Sequence, residues 1–297
     1  MIGHLEFFST QSLMSSPGTW VRLFDSLPRA QDVGALCRIV QGLMVHVFWA
    51  ERYGVSVEAA RRGELQMRAV CRKLERIAEL DSRPLIEARQ LKHRLVGNCR
   101  DFSLMLTSML RHGGFAARAR CGFATYFLPD HYEDHWVCEY WSSERGRWLL
   151  ADPQLDDFQR DKLGITFDPL DVPRDRFIVG GRAWQMCRRG EADPDRFGIH
   201  DLKGLWFVRG DLVRDVAALN KMELLPWDAW GLIEPPDEQI AADDLVLLDH
   251  VAELTRGEVT TFEMVQLLYE NDNRLHVPGK IRSHGPQGAT TVDLAEL

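Results

Sequence analysis

The stretch "GNCRDFSLMLTSMLRHGGFAARARCGF" (97–123) decides the reading of this chain. Gly97-Asn98 precedes an apolar run at three-to-four spacing, and Gly113-Gly114 closes it, which predicts a helix opening near Cys99. "FAARARCGFATYF" (115–127) then alternates small or apolar with polar residues, as a strand does. Downstream, "HWVCEYW" (135–141) and "RWLLAD" (147–152) are short and aromatic, with "SSERG" between them as a hairpin turn. A helix followed by neighbouring antiparallel strands predicts an α+β domain.

Cys99 sits where unpaired amides and the helix dipole favour an anion, a setting that populates a nucleophilic thiolate. Its own amide would be one oxyanion donor, and Gly97 and Asn98 would let the backbone approach a substrate carbonyl closely. A nucleophile needs a base, and the base an orienting group. If Ser143-Glu144 form a two-residue turn, the hairpin pairs Glu139 with Trp148, Val137 with Leu150 and His135 with Asp152. Partners of that kind hold their Cβ atoms roughly 5 Å apart on one face. A longer turn would slip the pairing by one or two residues and leave diagonal contact.

These motifs resemble the transglutaminase-like superfamily over about 97–153. The resemblance rests on a Gly-x-Cys opening a helix, a Leu-Arg-x-x-Gly end, an Ala-Arg strand, His-Trp-x-x-Glu and Trp-x-x-x-Asp-Pro. It implies a papain-like α+β fold with Cys99 as nucleophile, His135 as base and Asp152 as orienter. It also implies a second oxyanion donor upstream of the cysteine, for which Gln90 and His93 are candidates. Glu139 shares a strand face with His135, as an acid behind it or a partner for Arg147. Trp136 could shield the His135–Asp152 pair. The activity implied is acyl transfer from an amide through a Cys99 thioester, with hydrolysis favoured over aminolysis; a non-catalytic scaffold is the rival reading.

A metal hydrolase is a further rival, because "DHYEDHWVCEYW" (130–141) carries His131 and His135 four apart. On a strand such residues stand about 13 Å apart, too far to share an ion, so Asp130–Asp134 reads as loop and His131 as a bystander. No metal or cofactor is expected, and Cys121 and Cys138 read as core.

The remaining sequence bounds the answer. The 297 residues carry a formal charge of −8, 45% hydrophobic and 27% charged, which suits a globular protein and not a nucleic-acid surface. Six scattered cysteines without a CxxC pair, and no leader or spanning segment, lead to the expectation of a cytoplasmic protein without a membrane partner. Residues 31–80 read as helical, with Ser56 capping 56–80, and 211–222 as a helix capped by Asp211. The expected division is a catalytic domain over 1–230 (helices 18–80, core 90–155, decorations 156–230) and a helical extension with a loose polar tail over 231–297. Glu234–Asp237 would be the linker, and Thr260-x-x-Glu263 a capping box for a helix over 261–270.

Overall fold

Asp32 opens the first long helix by accepting the Ala35 amide at 2.8 Å, the job of an N-cap carboxylate. In the computed structural model, which describes residues 3–234, 236, 240–257, 262–285 and 288–297, the chain divides into two compact units. The first comprises 1–119 and 137–172, the second 120–136 and 173–297. The fold is α+β.

The first unit begins with α1 (His4–Phe8), α2 (Val33–Leu43), strand β1 (Met44–His46), α3 (Val70–Leu80), strand β2 (Leu95–Gly97) and α4 (Cys99–His112). β1 and β2 pair in parallel, His46 opposite Gly97. Every residue of α4 from Cys99 to Arg111 is buried, so this is an interior helix rather than an amphipathic one. Several of its polar members bond backbone carbonyls. Thr107 Oγ1 donates to Ser103 O at 2.8 Å, Ser108 Oγ to Ser15 O at 2.6 Å, and Arg111 Nε to Ala117 O at 2.8 Å. α2 and α3 pack against α4.

Strands β3 (Ala117–Ala124) and β4 (Tyr132–Ser142) run through both units, followed by β5 (Arg147–Ala151) and the short α5 (Asp157–Leu163) in the first. β4 and β5 form an antiparallel hairpin whose register sets Trp141 opposite Trp148 and Glu139 opposite Leu150. The turn is therefore longer than two residues, and the expected pairing of Glu139 with Trp148 slips by two. The aromatic pair fixes this register, Trp141 and Trp148 lying 5.9 Å apart edge to face.

The second unit holds β6 (Phe177–Val179), α6 (Gly180–Arg188), β7 (Phe197–Ile199), β8 (Leu202–Lys203), α7 (Leu205–Leu219) and β9 (Asp228–Ala229). It ends with α8 (Ala242–Thr255), α9 (Phe262–Asn271), β10 (Lys280–Gly285) and β11 (Gly288–Asp293). The large sheet has the order β6-β3-β4-β7-β8, with β5 also on β4. Close approach needs glycine at Gly122, where a Cβ would stand 2.2 Å from Ile178 O across the β3–β6 ladder.

Several expectations are corrected. The apolar run after Leu43 leaves the helix for β1, because Met44–His46 satisfy their backbone on β2. α3 starts at Val70, not Ser56; residues 59–66 are a 3-10 turn whose buried Glu64 accepts from Arg61, Arg76 and the Val96 amide. β4 begins at Tyr132, three residues before His135, since Tyr132 pairs with Phe197 and their rings stack at 4.1 Å. Asp211 lies buried inside α7 rather than at its cap, which falls at Gly204. The 231–297 tail is no loose extension: β10 and β11 pair with each other, and β10 pairs with β9. The two units also differ from the linear division at 230, because β3 and β4 contribute residues to both. The capping box at Thr260 lies outside the described residues, as do Pro235 and Asp237 of the expected linker. Among the described residues no helix is long and apolar enough to cross a membrane.

At the start of α4, Asp101 accepts from Lys73 Nζ at 2.8 Å and Arg100 Nη1 at 3.1 Å, all three fully buried. Asp101→Ala should cost about 3–5 kcal/mol in denaturant unfolding, because it strands buried cations. Burial lowers the Lys73 pKa from 10.5 to about 8. Between those values the unfolded chain keeps a proton that the folded chain has released, so the lysine's contribution is full above 10.5 and is lost as pH falls to 8. The unfolding free energy of wild type relative to Lys73→Met should therefore rise from pH 8 to pH 10; a flat difference would contradict this.

Candidate active site

Cys99 is the first residue of α4 and is 8% exposed. Asn98 builds a capping box with Asp101: its side chain accepts the Asp101 amide at 3.1 Å, and Asp101 Oδ2 accepts the Asn98 amide at 3.1 Å. This claims the third helical amide and leaves the helix start directed at Cys99. One acid faces two buried cations here, Lys73 and Arg100. The start of α4, with its helix dipole, is a setting that favours a thiolate. Gly97 serves packing: a Cβ there would meet Met44 Cε at 2.6 Å and Asp101 Cβ at 3.3 Å.

Asp152 follows β5 and is buried. Its amide donates to Pro169 O at 2.8 Å, and its Oδ1 accepts the Gln154 amide at 3.0 Å. The chain is thereby pinned on both sides of the carboxylate. His135 lies on β4, 2% exposed, in an aromatic cage of Phe127, Tyr126 and Phe177 with centroids at 4.9, 5.9 and 6.3 Å. Cys99 and Asp152 belong to the first unit and His135 to the second.

The secondary candidates land elsewhere. Gln90 is exposed, and His93 sits 3.9 Å from Asp81 on a side chain 42% exposed. Glu139 is taken by Arg118 at 2.7 Å, while Arg147 pairs with Asp171 at 2.7 Å. Arg118 also lies 3.9 Å over the Trp148 ring. Trp136 is buried. His131 Nε2 lies 3.2 Å from Gly198 O, an ordinary backbone contact.

The first unit also holds a cavity that sequence reasoning missed. It encloses about 220 Å³ of space, part of it open to solvent, and its inner part is water-sized. His46, Phe102, Tyr53, Gln154 and Asp156 line it. Phe102 is one turn along α4 from Cys99, and Gln154 is the residue that bonds Asp152. Tyr53 donates to Asp156 at 2.7 Å across 103 positions, so no local pattern announces the pair. Lys73 does leave a trace, as a lone lysine on the apolar stripe of Val70, Leu74 and Ile77.

Residues 58–153 match the family model of the Transglutaminase-like superfamily. Over that third of its length the chain is similar to the transglutaminase-like core. A solved structure described as "a Putative Cysteine Protease from Cytophaga hutchinsonii" is 15% identical at a TM-score of 0.36. The alignment covers 60% of this chain and 46% of that one, so the chain spans under half its length. A search of curated proteins found no match.

Burial pushes the Cys138 and Cys187 thiols up to about 12 and those of Cys37 and Cys121 well above the usual range. In a Cys71→Ser background, which removes a partly exposed competitor, iodoacetamide near pH 7 should alkylate Cys99 first by peptide mass mapping. Labelling of Cys99 no faster than of Cys187 would contradict an activated thiolate.

Proposed function

We propose that the chain transfers the acyl group of an amide through a thioester on Cys99. The reading is carried by one observation: the cysteine opens a capped interior helix within the matched residues, and the capping Asp101 of that same turn is held by two buried cations. In this mechanism His135 takes the Cys99 proton, and the thiolate attacks the amide carbon. The tetrahedral oxyanion faces the amides at the α4 N-terminus. As the C–N bond breaks, His135 gives the proton to the leaving amine. Water then attacks the thioester, His135 accepts its proton, and the carboxylic acid leaves as Cys99 is regenerated. Asp152 holds the imidazole orientation, a role that suits a buried carboxylate pinned by the Gln154 amide.

Water is taken as the favoured acceptor, and aminolysis of the same thioester by an amine is the alternative outcome. The substrate is an amide, peptide-like or small.

Incubation with an amide library followed by intact-mass analysis should show an acyl adduct on wild type that is absent from Cys99→Ala. Cys99→Ala should remove turnover while far-UV circular dichroism is unchanged, and His131→Ala should keep wild-type turnover within about twofold, since a partly exposed backbone contact is worth little. A large loss from His131→Ala, or turnover persisting in Cys99→Ala, would overturn the assignment.

A further inference from the structure

Away from Cys99, the second unit gathers three metal-ligating side chains from three elements. Cys121 lies on β3, Asp134 on β4 and Asp211 on α7, all buried, and one ligand atom of each lies within 4.8 Å of the other two. Two carboxylate oxygens in this cluster, Asp134 Oδ1 and Asp211 Oδ2, are buried and have no hydrogen-bond partner. Such orphaned acceptors are costly unless a proton or a cation meets them.

The surroundings fix the ligands. The Cys121 amide donates to Asp215 Oδ1 at 3.0 Å, and Asp215 is itself gripped by Arg120 at 2.9 and 2.8 Å. Arg214 Nη1 donates to Asp211 Oδ1 at 3.2 Å, with its Nη2 on Asp228 O at 3.3 Å. With the thiol and both carboxyls ionised, the cluster carries three negative charges. Arg214 answers one of them. A divalent cation answers the other two.

The geometry points to a divalent transition-metal site formed by Cys121, Asp134 and Asp211. One thiolate with two carboxylates suits zinc-type ions better than calcium or magnesium, which take oxygen alone. Three ligands leave a fourth tetrahedral position for a water or a second carboxylate oxygen. The ligands come from two strands and a helix that are distant in sequence, so the ion would tie β3, β4 and α7 together. Asp134 adjoins His135 in sequence and points to the opposite face of β4, which makes the site structural rather than part of the acyl chemistry.

The test uses the full-length Cys99→Ala protein, so that it stands whatever becomes of the acyl-transfer reading. The protein is purified in chelator-free buffer, its metal content measured, and the stripped protein titrated with Co²⁺. One equivalent of metal per chain and a thiolate-to-cobalt charge-transfer band in the near ultraviolet are expected. Cys121→Ser should abolish the band, and Asp134→Asn should weaken binding by about tenfold or more, while Cys187→Ser should change neither. Should Cys121→Ser fail to fold, the metal content and cobalt band of the parent protein decide alone. No bound metal and no band, or a band that survives Cys121→Ser, would overturn the site and leave two carboxyls sharing a proton.

Discussion

Everything around Cys99 depends on one buried carboxylate. Asp101 caps the helix that Cys99 opens, holds the Asn98 amide, and neutralises Lys73 and Arg100 in a place without water. A buried ion pair of this kind adds little net stability compared with apolar packing, but breaking it is expensive. Its effect is therefore to fix a geometry. α3 cannot slide along α4 without stranding Lys73, and the first turn of α4 cannot unwind without releasing Asp101. Cys99, at the first position of that turn, inherits the rigidity.

The second organising constraint is the charge buried in the sheet. β3 carries Arg118 and Arg120 through the interior, and each meets its own acid, Glu139 and Asp215. Arg118 is also sandwiched against Trp148, so part of its desolvation is offset by an aromatic face. These pairs explain why a strand with alternating polar residues is nonetheless buried along its whole length.

Much of the core was legible in the sequence, and the limits of that reading are physical. α4 and β3 fall where periodicity and the flanking glycines put them, because capping and turn signals are local. The hairpin was legible as a hairpin, but its register was not. "SSERG" fits turns of several lengths, and the Trp141–Trp148 contact that decides among them is visible only in three dimensions. β1 read as helix because Met44–His46 are as apolar as the helix before them, and their partner strand lies some fifty positions away. Asp211 read as a cap because an acid ahead of an apolar run is the usual cap signal; its buried neighbours come from β3 and β4, far off in the chain. The tail read as loose because β11 is exposed along most of its length and β10 at alternate positions, so their polar residues carry no core signal; what orders them is pairing in the sheet β11-β10-β9. Cys99 was legible as a helix-opening cysteine, whereas the cavity beside α4 was not, since Tyr53 and Asp156 share no local pattern.

The route of the chain through its two units has a consequence for its synthesis. The first unit is complete only when residue 172 has been made, yet residues 120–136 of the second are already present by then. A growing chain thus cannot finish one unit before beginning the other. β3 leaves the ribosome with residues 117–119 belonging to one unit and residues 120–124 to the other, and Gly122–Ala124 wait for partners, Phe177–Val179, that do not yet exist. Such long-range pairing slows folding, and it exposes an apolar strand edge in the meantime. Arg118 and Arg120 leave that waiting strand charged, the kind of residue that guards an apolar segment against aggregation, and Glu139 and later Asp215 are the acids they meet in the folded protein.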